Sequence, residues 1–590
     1  MKKKIYLLKI IVILLIIIPK NCFSYSKAVV DITSMDVFEI QKAIDDGYLT
    51  YELLTKLYLE RIEAYDKDFH SIISINENAI LEAKECDKKY KKEGRNSIFF
   101  GIPIIVKDNI DVKNMPTTCG TLSLQNSYPK EDAKIISNLK SLGAIILAKS
   151  NMSEFAFYAS NSLSSYQDTR NSYNLDYTSY GSSSGSCVAV SNSFSPVAIG
   201  TDTNASTRLP AVSNNVIGMR PTFNAISTDG IVKYDVTRDT VGIITKTVKE
   251  NAYLYEALNN NISLDYDISD YSLSGVRVGI IKKMYEDLDY EVKPLVDKTL
   301  DNLKSYGVTI VSINEFPYKK YQKLDIDTMA GWTFCNSFNS YIKNTNSNLN
   351  NFFDLLYDKG HITSLWSYTL DCGINIDKVK TYDNIKKELY DNLIDIYKDN
   401  TIDFIIYPTS KNKVLKIEDD NNLKTDLSLL SSVFGLPDIS FPIGSDKDNL
   451  YYGMDLVGLK NSDSNLYKFL YQYQKLNNTY QLSELAKPLY NVSDKVLELK
   501  KEYEKYRNIK ILEHNKNYKK VKKEIEDFLF NYNSYEDNSL DEKATNLLKK
   551  HTYSLNNIYK IYSNYLIFIV FIILIILILK IIKKKEIKVK

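Results

Sequence analysis

From residue 98 onward the chain alternates between two textures. Short, nearly unbroken apolar runs at 99–106, 144–148, 196–199, 276–281, 308–313 and 404–407 are separated by stretches such as 131–142 and 292–305, where apolar residues return every three or four positions. Apolar runs this short predict strands buried on both faces, and the three-to-four spacing predicts helices. Strands alternating with helices predict an α/β fold: a single large domain around a mostly parallel mixed sheet covered by helices. Ahead of it, 34–92 has helical spacing throughout, broken at Gly47, with Thr50 placed to cap the helix that follows. The polar segment 414–429 reads as a surface loop. Past residue 480 the texture changes again. The span 496–531 is rich in Lys and Glu, has no Gly or Pro, and predicts a charged helical stalk.

The two ends bear on location. Met1–Lys4 is basic, 10–18 is apolar and Cys22-Phe23-Ser24 offers a small-x-small cleavage site, the layout of a signal peptide over 1–24 with Tyr25 as the mature start. Residues 561–579 form an apolar stretch; at about 1.5 Å per residue it reaches roughly 28 Å, close to the hydrocarbon thickness of a bilayer. The basic run that follows stays on the cytoplasmic side by the positive-inside rule. The expected organisation is a main domain over 25–480, a helical stalk over 481–560, a transmembrane helix over 561–582 and a cytoplasmic tail over 583–590. That describes a single-pass cell-membrane protein, held by its C-terminal helix, with the main domain outside the cytoplasm.

Composition narrows the chemistry. Of 590 residues 44% are hydrophobic and 25% charged, as in a globular body, and the net charge of +2 gives no reason to expect a nucleic-acid partner. The four histidines, His70, His361, His514 and His551, have no Cys or carboxylate neighbours at ligand spacing, so no metal is expected, and no organic cofactor is implied. With Cys22 removed, Cys86, Cys119, Cys187, Cys335 and Cys372 are odd in number and widely spaced, which favours free buried thiols over a disulfide framework.

The densest chemical signal lies between Tyr180 and Thr222. A loop reading YGSSSGS leads into apolar sequence, a GTDT turn follows, and Ser206 then stands two residues before Arg208. Upstream, Lys107 ends the apolar run Ile104-Ile105-Val106. A Ser hydroxyl is a weak nucleophile and needs a base within hydrogen-bond reach. No His lies in any of these segments. A Lys at a buried strand end is the available base, because burial disfavours its charged form. A lone Lys is ordinarily a solvated surface charge; one wedged between an apolar run and Asp108-Asn109 fits that description poorly.

These segments resemble the amidase signature family. GIPIIVKDNID is similar to its Lys segment, AKSNMSEFAF to the helix that follows, and YGSSSGSCVAVSNSFSPVAIGTDTNASTRLPA to its signature stretch. GMRPT and RDTVGIITKTVKENAYL match further segments, with weaker echoes at DFIIYPTS, GLPDISFPIG and YYGMDLVGL. The separations from Lys107 to Ser182 and from Ser182 to Ser206 also match. The resemblance implies a Ser–Ser–Lys triad: Ser206 as nucleophile on an amide carbonyl, Ser182 as the bridging hydroxyl, Lys107 as the base. It further implies a cis Gly181–Ser182 bond, an oxyanion hole at Thr203, Asn204, Ala205 and Ser206, and a supporting role for Asp202 and Arg208.

Two positions depart from the family. Asn204-Ala205 replaces the usual Gly-Gly before the nucleophile, and Ser184 stands where the loop normally has Gly; only Gly takes positive φ without cost. The expected function is an extracytoplasmic amide-bond hydrolase acting on a small-molecule or peptide amide. The alternatives are a catalytically impaired surface binding protein on an amidase scaffold, or a glutamine/asparagine amidotransferase-type subunit.

Overall fold

Each of the six apolar runs overlaps a strand. The structure, a computed structural model, describes residues 30–259, 271–321, 324, 326–361, 376–419, 429–489, 494–507, 516–531 and 543–550. The proposed signal peptide and transmembrane helix lie outside them. Among the described residues no helix is long and apolar enough to cross a membrane. The chain divides into two compact units, one comprising Ile32–Lys42 and Thr50–Lys487, the other including Ala43–Leu49 and the described residues after Pro488.

The larger unit holds one sheet of eleven strands: β1 Ile72–Ile75, β2 Pro103–Lys107, β3 Ile145–Ser150, β4 Val197–Asp202, β5 Ile217–Arg220, β6 Thr240–Thr245, β7 Arg277–Ile281, β8 Thr309–Ile313, β9 Phe404–Pro408, β10 Asp438–Ser445 and β11 Tyr451–Val457. Their order across the sheet is β1-β3-β2-β4-β6-β5-β10-β11-β9-β7-β8. The α/β class holds, with a mixed sheet, but the expectation of a mostly parallel one is corrected. β2 runs parallel to β3 and β4, and β7 to β8 and β9; the other six pairings are antiparallel. The extra strands, β1, β5, β6, β10 and β11, all enter through antiparallel pairs. They are short or carry Gly and Pro, which hides them from a run-length reading. Pro442 of β10 is tolerated because β5 pairs only with Asp438, Ile439 and Ser440, and the β10–β11 ladder shifts register just past Pro442.

The N-terminal helical reading is corrected in one place. Thr50 does cap the helix Tyr51–Phe69, its side chain accepting from Leu53 N–H at 3.0 Å. The helix then ends at His70, which takes a left-handed conformation, and β1 pairs with the edge of β3 before helix Ala79–Glu93 begins.

β2, β3, β4 and β6 are buried at every position, as are two short helices, Ser184–Ser191 and Arg208–Ser213. The parallel register of β2 with β4, Ile104 opposite Val197 and Val106 opposite Ile199, brings both carboxyl ends to the same edge. Ligands of open α/β sheets bind at such an edge. In the smaller unit, helices Asp494–Arg507 and Lys516–Asn531 bury Leu499, Tyr503, Val521 and Ile525, and the Tyr503 hydroxyl donates to Glu526. The preference for free buried thiols holds for three of the cysteines and not for a fourth. Cys86, Cys119 and Cys187 are free, whereas Cys335 is disulfide-bonded.

Candidate active site

Three strand ends and two helix starts converge on one buried locus. Lys107 is the last residue of β2 and is fully enclosed. Its Nζ donates to Ser182 Oγ at 2.7 Å, Thr201 Oγ1 at 2.8 Å and Ser183 Oγ at 3.0 Å. All three side-chain partners are neutral hydroxyls. Burial, the largest influence, lowers the Lys107 pKa to about 7 even though Asp202 and Asp239 pull it upward. The amine is therefore poised between charged and neutral forms near neutral pH.

Ser182 and Ser183 precede the buried helix Ser184–Ser191, and the Gly181–Ser182 bond is cis. The close approach of this loop to β4 needs Gly200: a Cβ there would lie 2.6 Å from Ser183 Oγ. Ser184 opens the helix without a positive φ, so its replacement of the family Gly requires no unusual backbone.

Ser206 lies in the turn between β4 and helix Arg208–Ser213, and its peptide oxygen accepts from Ser183 N–H at 2.9 Å. The turn is held by side chains. Ala205 N–H and Thr207 N–H each donate to the Asp202 carboxylate at 3.1 Å. Thr203 Oγ1 donates to Asp239 Oδ1 at 2.6 Å, and Arg238 Nη1 donates to Asn204 Oδ1. Of the two residues replacing Gly-Gly, the left-handed one is Ala205, with φ at 90°. The Ala205 N–H, one of the four expected oxyanion donors, is turned onto Asp202.

Asp202 and Arg208 belong to a larger buried network. Arg208 reaches Asp202 at 3.1 Å, Asp438 at 2.5 Å and Asp455 at 3.0 Å, while Arg220 reaches Asp202 at 3.0 Å. Burial pushes Asp202 up, but Arg208 and Arg220 overcome it and hold its carboxyl below the usual range. Asp455 goes the other way, raised by burial and by Asp438, and its Oδ1 accepts from Thr409 Oγ1 at 2.6 Å. Three carboxyls and two guanidiniums thus share one buried network, with Asp202 held toward its charged form and Asp455 toward its neutral one.

The sequence pattern picks out Lys107, Ser182, Ser206 and the turn between them. It misses Ser183, Thr201, Arg220, Arg238, Asp239, Asp438 and Asp455. Asp438 opens β10 and Asp455 stands inside β11, each against apolar neighbours, a signal that would have flagged both. Among the described residues one carboxylate cluster has metal-like proximity, Glu291 with Asp446 and Asp448, but Lys413 already bridges Glu291 at 3.1 Å and Asp448 at 2.8 Å.

Comparison with known proteins agrees with the geometry. A family model described as Amidase matches residues 53–467. A Glutamyl-tRNA(Gln) amidotransferase subunit from Rippkaea orientalis is 30% identical over 471 residues, covering 74% of this chain and 96% of its own. Among solved structures, the native peptide amidase from Stenotrophomonas maltophilia superposes with a TM-score of 0.69 at 26% identity, over 77% of this chain and 99% of that one. The corresponding Glutamyl-tRNA(Gln) amidotransferase subunit from Thermotoga maritima gives 0.63 at 25% identity, over 78% and 99%.

Proposed function

The chain belongs to the amidase family, and from that premise we propose that it is an amide-bond hydrolase working through an acyl-enzyme on Ser206. The observation that carries this reading is the enclosed Lys107 amine, 2.7 Å from Ser182 Oγ and with its pKa lowered to about 7. A fraction of Lys107 is then neutral at physiological pH and can accept a proton. Ser206 Oγ attacks the amide carbonyl carbon, and its proton passes through Ser182 Oγ to Lys107 Nζ. The carbonyl π pair becomes an oxyanion. Collapse of that intermediate expels the amine, which takes the proton back along Ser182. Water then attacks the ester carbonyl by the same relay and frees Ser206.

The substrate class is a small-molecule or peptide amide, and the peptide amidase fold neighbour favours the latter. We place the domain outside the cytoplasm, tethered by 561–582. The apolar 561–579 stretch with its basic tail supports this. So does the Cys335 disulfide, since such bonds persist in oxidising compartments.

A second reading, an amidotransferase-type subunit releasing ammonia from glutamine or asparagine for a partner, is favoured by the relative at 30% identity. An amide panel separates them. The full chain is expected to hydrolyse C-terminally amidated peptides or small amides without any partner, and activity confined to free glutamine and dependent on an added partner protein would favour the second reading. Protease added to intact cells is expected to degrade the main domain. Full protection until lysis would contradict the extracytoplasmic placement.

A further inference from the structure

We propose that Arg238, Tyr382 and Lys386 bind a carboxylate carried by the amide substrate, beside the turn that holds Ser206. This rests on the amide-hydrolase reading and names the class of amide the site takes.

The cluster is built from donors that lack acceptors. Arg238 precedes β6 and is fully enclosed. Its Nε pairs with Asp235 at 2.6 Å and its Nη1 donates to Asn204 Oδ1. The remaining nitrogen, Nη2, is buried with no hydrogen-bond partner among the described residues. Tyr382, on the helix Ile376–Asp399, is 4% exposed, and its hydroxyl is likewise buried without a partner among them. One helical turn on, Lys386 is half-buried and sets its Nζ 5.8 Å from the centre of the Tyr382 ring. It forms no ion pair among the described residues.

These groups act on one another. Burial raises the Tyr382 pKa, and the largest influence against it is the Arg238 charge. Burial also lowers the Lys386 pKa, and Arg238 lowers it further, with Asp235 pulling the other way. Lys460 adds a third cation and Asp383 a second carboxylate. Three cations thus share two carboxylates, and Asp235 is already engaged by Arg238. Half-buried and buried cations in excess, with two enclosed donors, call for one further negative charge. A carboxylate supplies it in the planar form that a guanidinium matches, and its second oxygen can accept from the hydroxyl or the ammonium.

The cluster also lies where a substrate would reach it. The guanidinium with the unused Nη2 is the one that holds Asn204, and the next residue, Asp239, accepts from Thr203 Oγ1 at 2.6 Å. The segment carrying Arg238 therefore runs along the nucleophile turn. Asn204 and Ser206 are two residues apart, so their backbones stand at most about 7 Å from each other. That is within the length of a small amide.

Three matched pairs test the assignment: succinamic acid against isocaproamide, adipamic acid against heptanamide, and N-acetylglycine against N-isobutylacetamide. The full chain is expected to prefer at least one acid over its neutral partner by about tenfold or more in kcat/KM, as a charged hydrogen bond would give. Lys386→Met and Tyr382→Phe are expected to cut that preference, mainly through KM for the acid, and Lys386→Arg to keep it within about threefold. Tm is measured for each variant. A structural role for Lys386 would lower both members of a pair alike and leave the ratio unmoved. No preference for any acid, or a preference that survives Lys386→Met, overturns the proposal. So does a cluster that takes only free inorganic anions, seen as a Tm rise with phosphate or chloride and none with succinate or adipate. Failure of the hydrolase reading looks different: the wild-type chain would hydrolyse no amide of any kind. The carboxylate site is then judged by Tm alone, where a rise with succinamic or adipamic acid that Lys386→Met removes supports it and no rise overturns it.

Discussion

The Ser183 N–H donates to the Ser206 peptide oxygen at 2.9 Å. The loop carrying Ser182, the proposed bridging hydroxyl, is thus fastened to the backbone of Ser206, the proposed nucleophile. Ser183 also binds the Lys107 amine through its Oγ at 3.0 Å, so one residue links Lys107, the Ser182 loop and Ser206. The backbones that carry Lys107, Ser182 and Ser206 are thereby tied to one another.

Ala205 is the position where departure from the family is costly. A non-Gly residue in the left-handed region is disfavoured by roughly 1–2 kcal/mol, and Ala205 sits at φ 90°. Ala205→Gly is expected to stabilise the protein by about 1 kcal/mol in denaturant unfolding, with activity changed less than about tenfold. A loss of stability would show that the Ala205 methyl group contributes packing that outweighs the backbone strain.

Arg208 meets three carboxylates in a fully buried setting. Removing one partner of a buried ionic network leaves charge without compensation and costs about 3–5 kcal/mol. Arg208→Met is therefore expected to lose that much in denaturant unfolding, a large share of the roughly 5–15 kcal/mol that holds a domain together. A change below about 1 kcal/mol would mean that the carboxylates neutralise themselves by taking up protons.

Cysteine accessibility separates the thiols. Burial pushes Cys86 up to about 11 and Cys119 and Cys187 well above the usual thiol range. Iodoacetamide at pH 8 is expected to modify the native protein slowly if at all, since the thiolate is the nucleophile. In denaturant without reductant, Cys86, Cys119 and Cys187 are expected to be alkylated while Cys335 stays protected, as mass spectrometry of the digest would reveal. Alkylation of Cys335 before reduction would contradict its disulfide.

What the sequence disclosed and what it hid divide along physical lines. β2, β3 and β4 were legible because strands buried on both faces need uninterrupted apolar runs. Lys107 and Ser206 were legible because polar chemistry at the end of such runs is conspicuous. β10 and β11 were hidden by Pro442, Gly444 and Gly453, and by buried Asp438 and Asp455, which break the apolar signal yet serve Arg208. Arg238 was hidden for another reason. Its partner Asn204 is 34 residues away, and no local pattern reports which loop a turn will pack against.

The most direct measurement of the central mechanism is the pH dependence of Ser206 labelling by a fluorophosphonate, followed by mass spectrometry from about pH 5.5 to 9. In the proposed mechanism neutral Lys107 is the base, and burial has brought its pKa down to about 7. Labelling of Ser206 should therefore be slow in acid, rise through an inflection near 7 and level off above it. Lys107→Ala should slow labelling by orders of magnitude and remove the inflection, and Ser206→Ala should abolish it. An adduct on a residue other than Ser206, or an unchanged pH profile in Lys107→Ala, would contradict the mechanism.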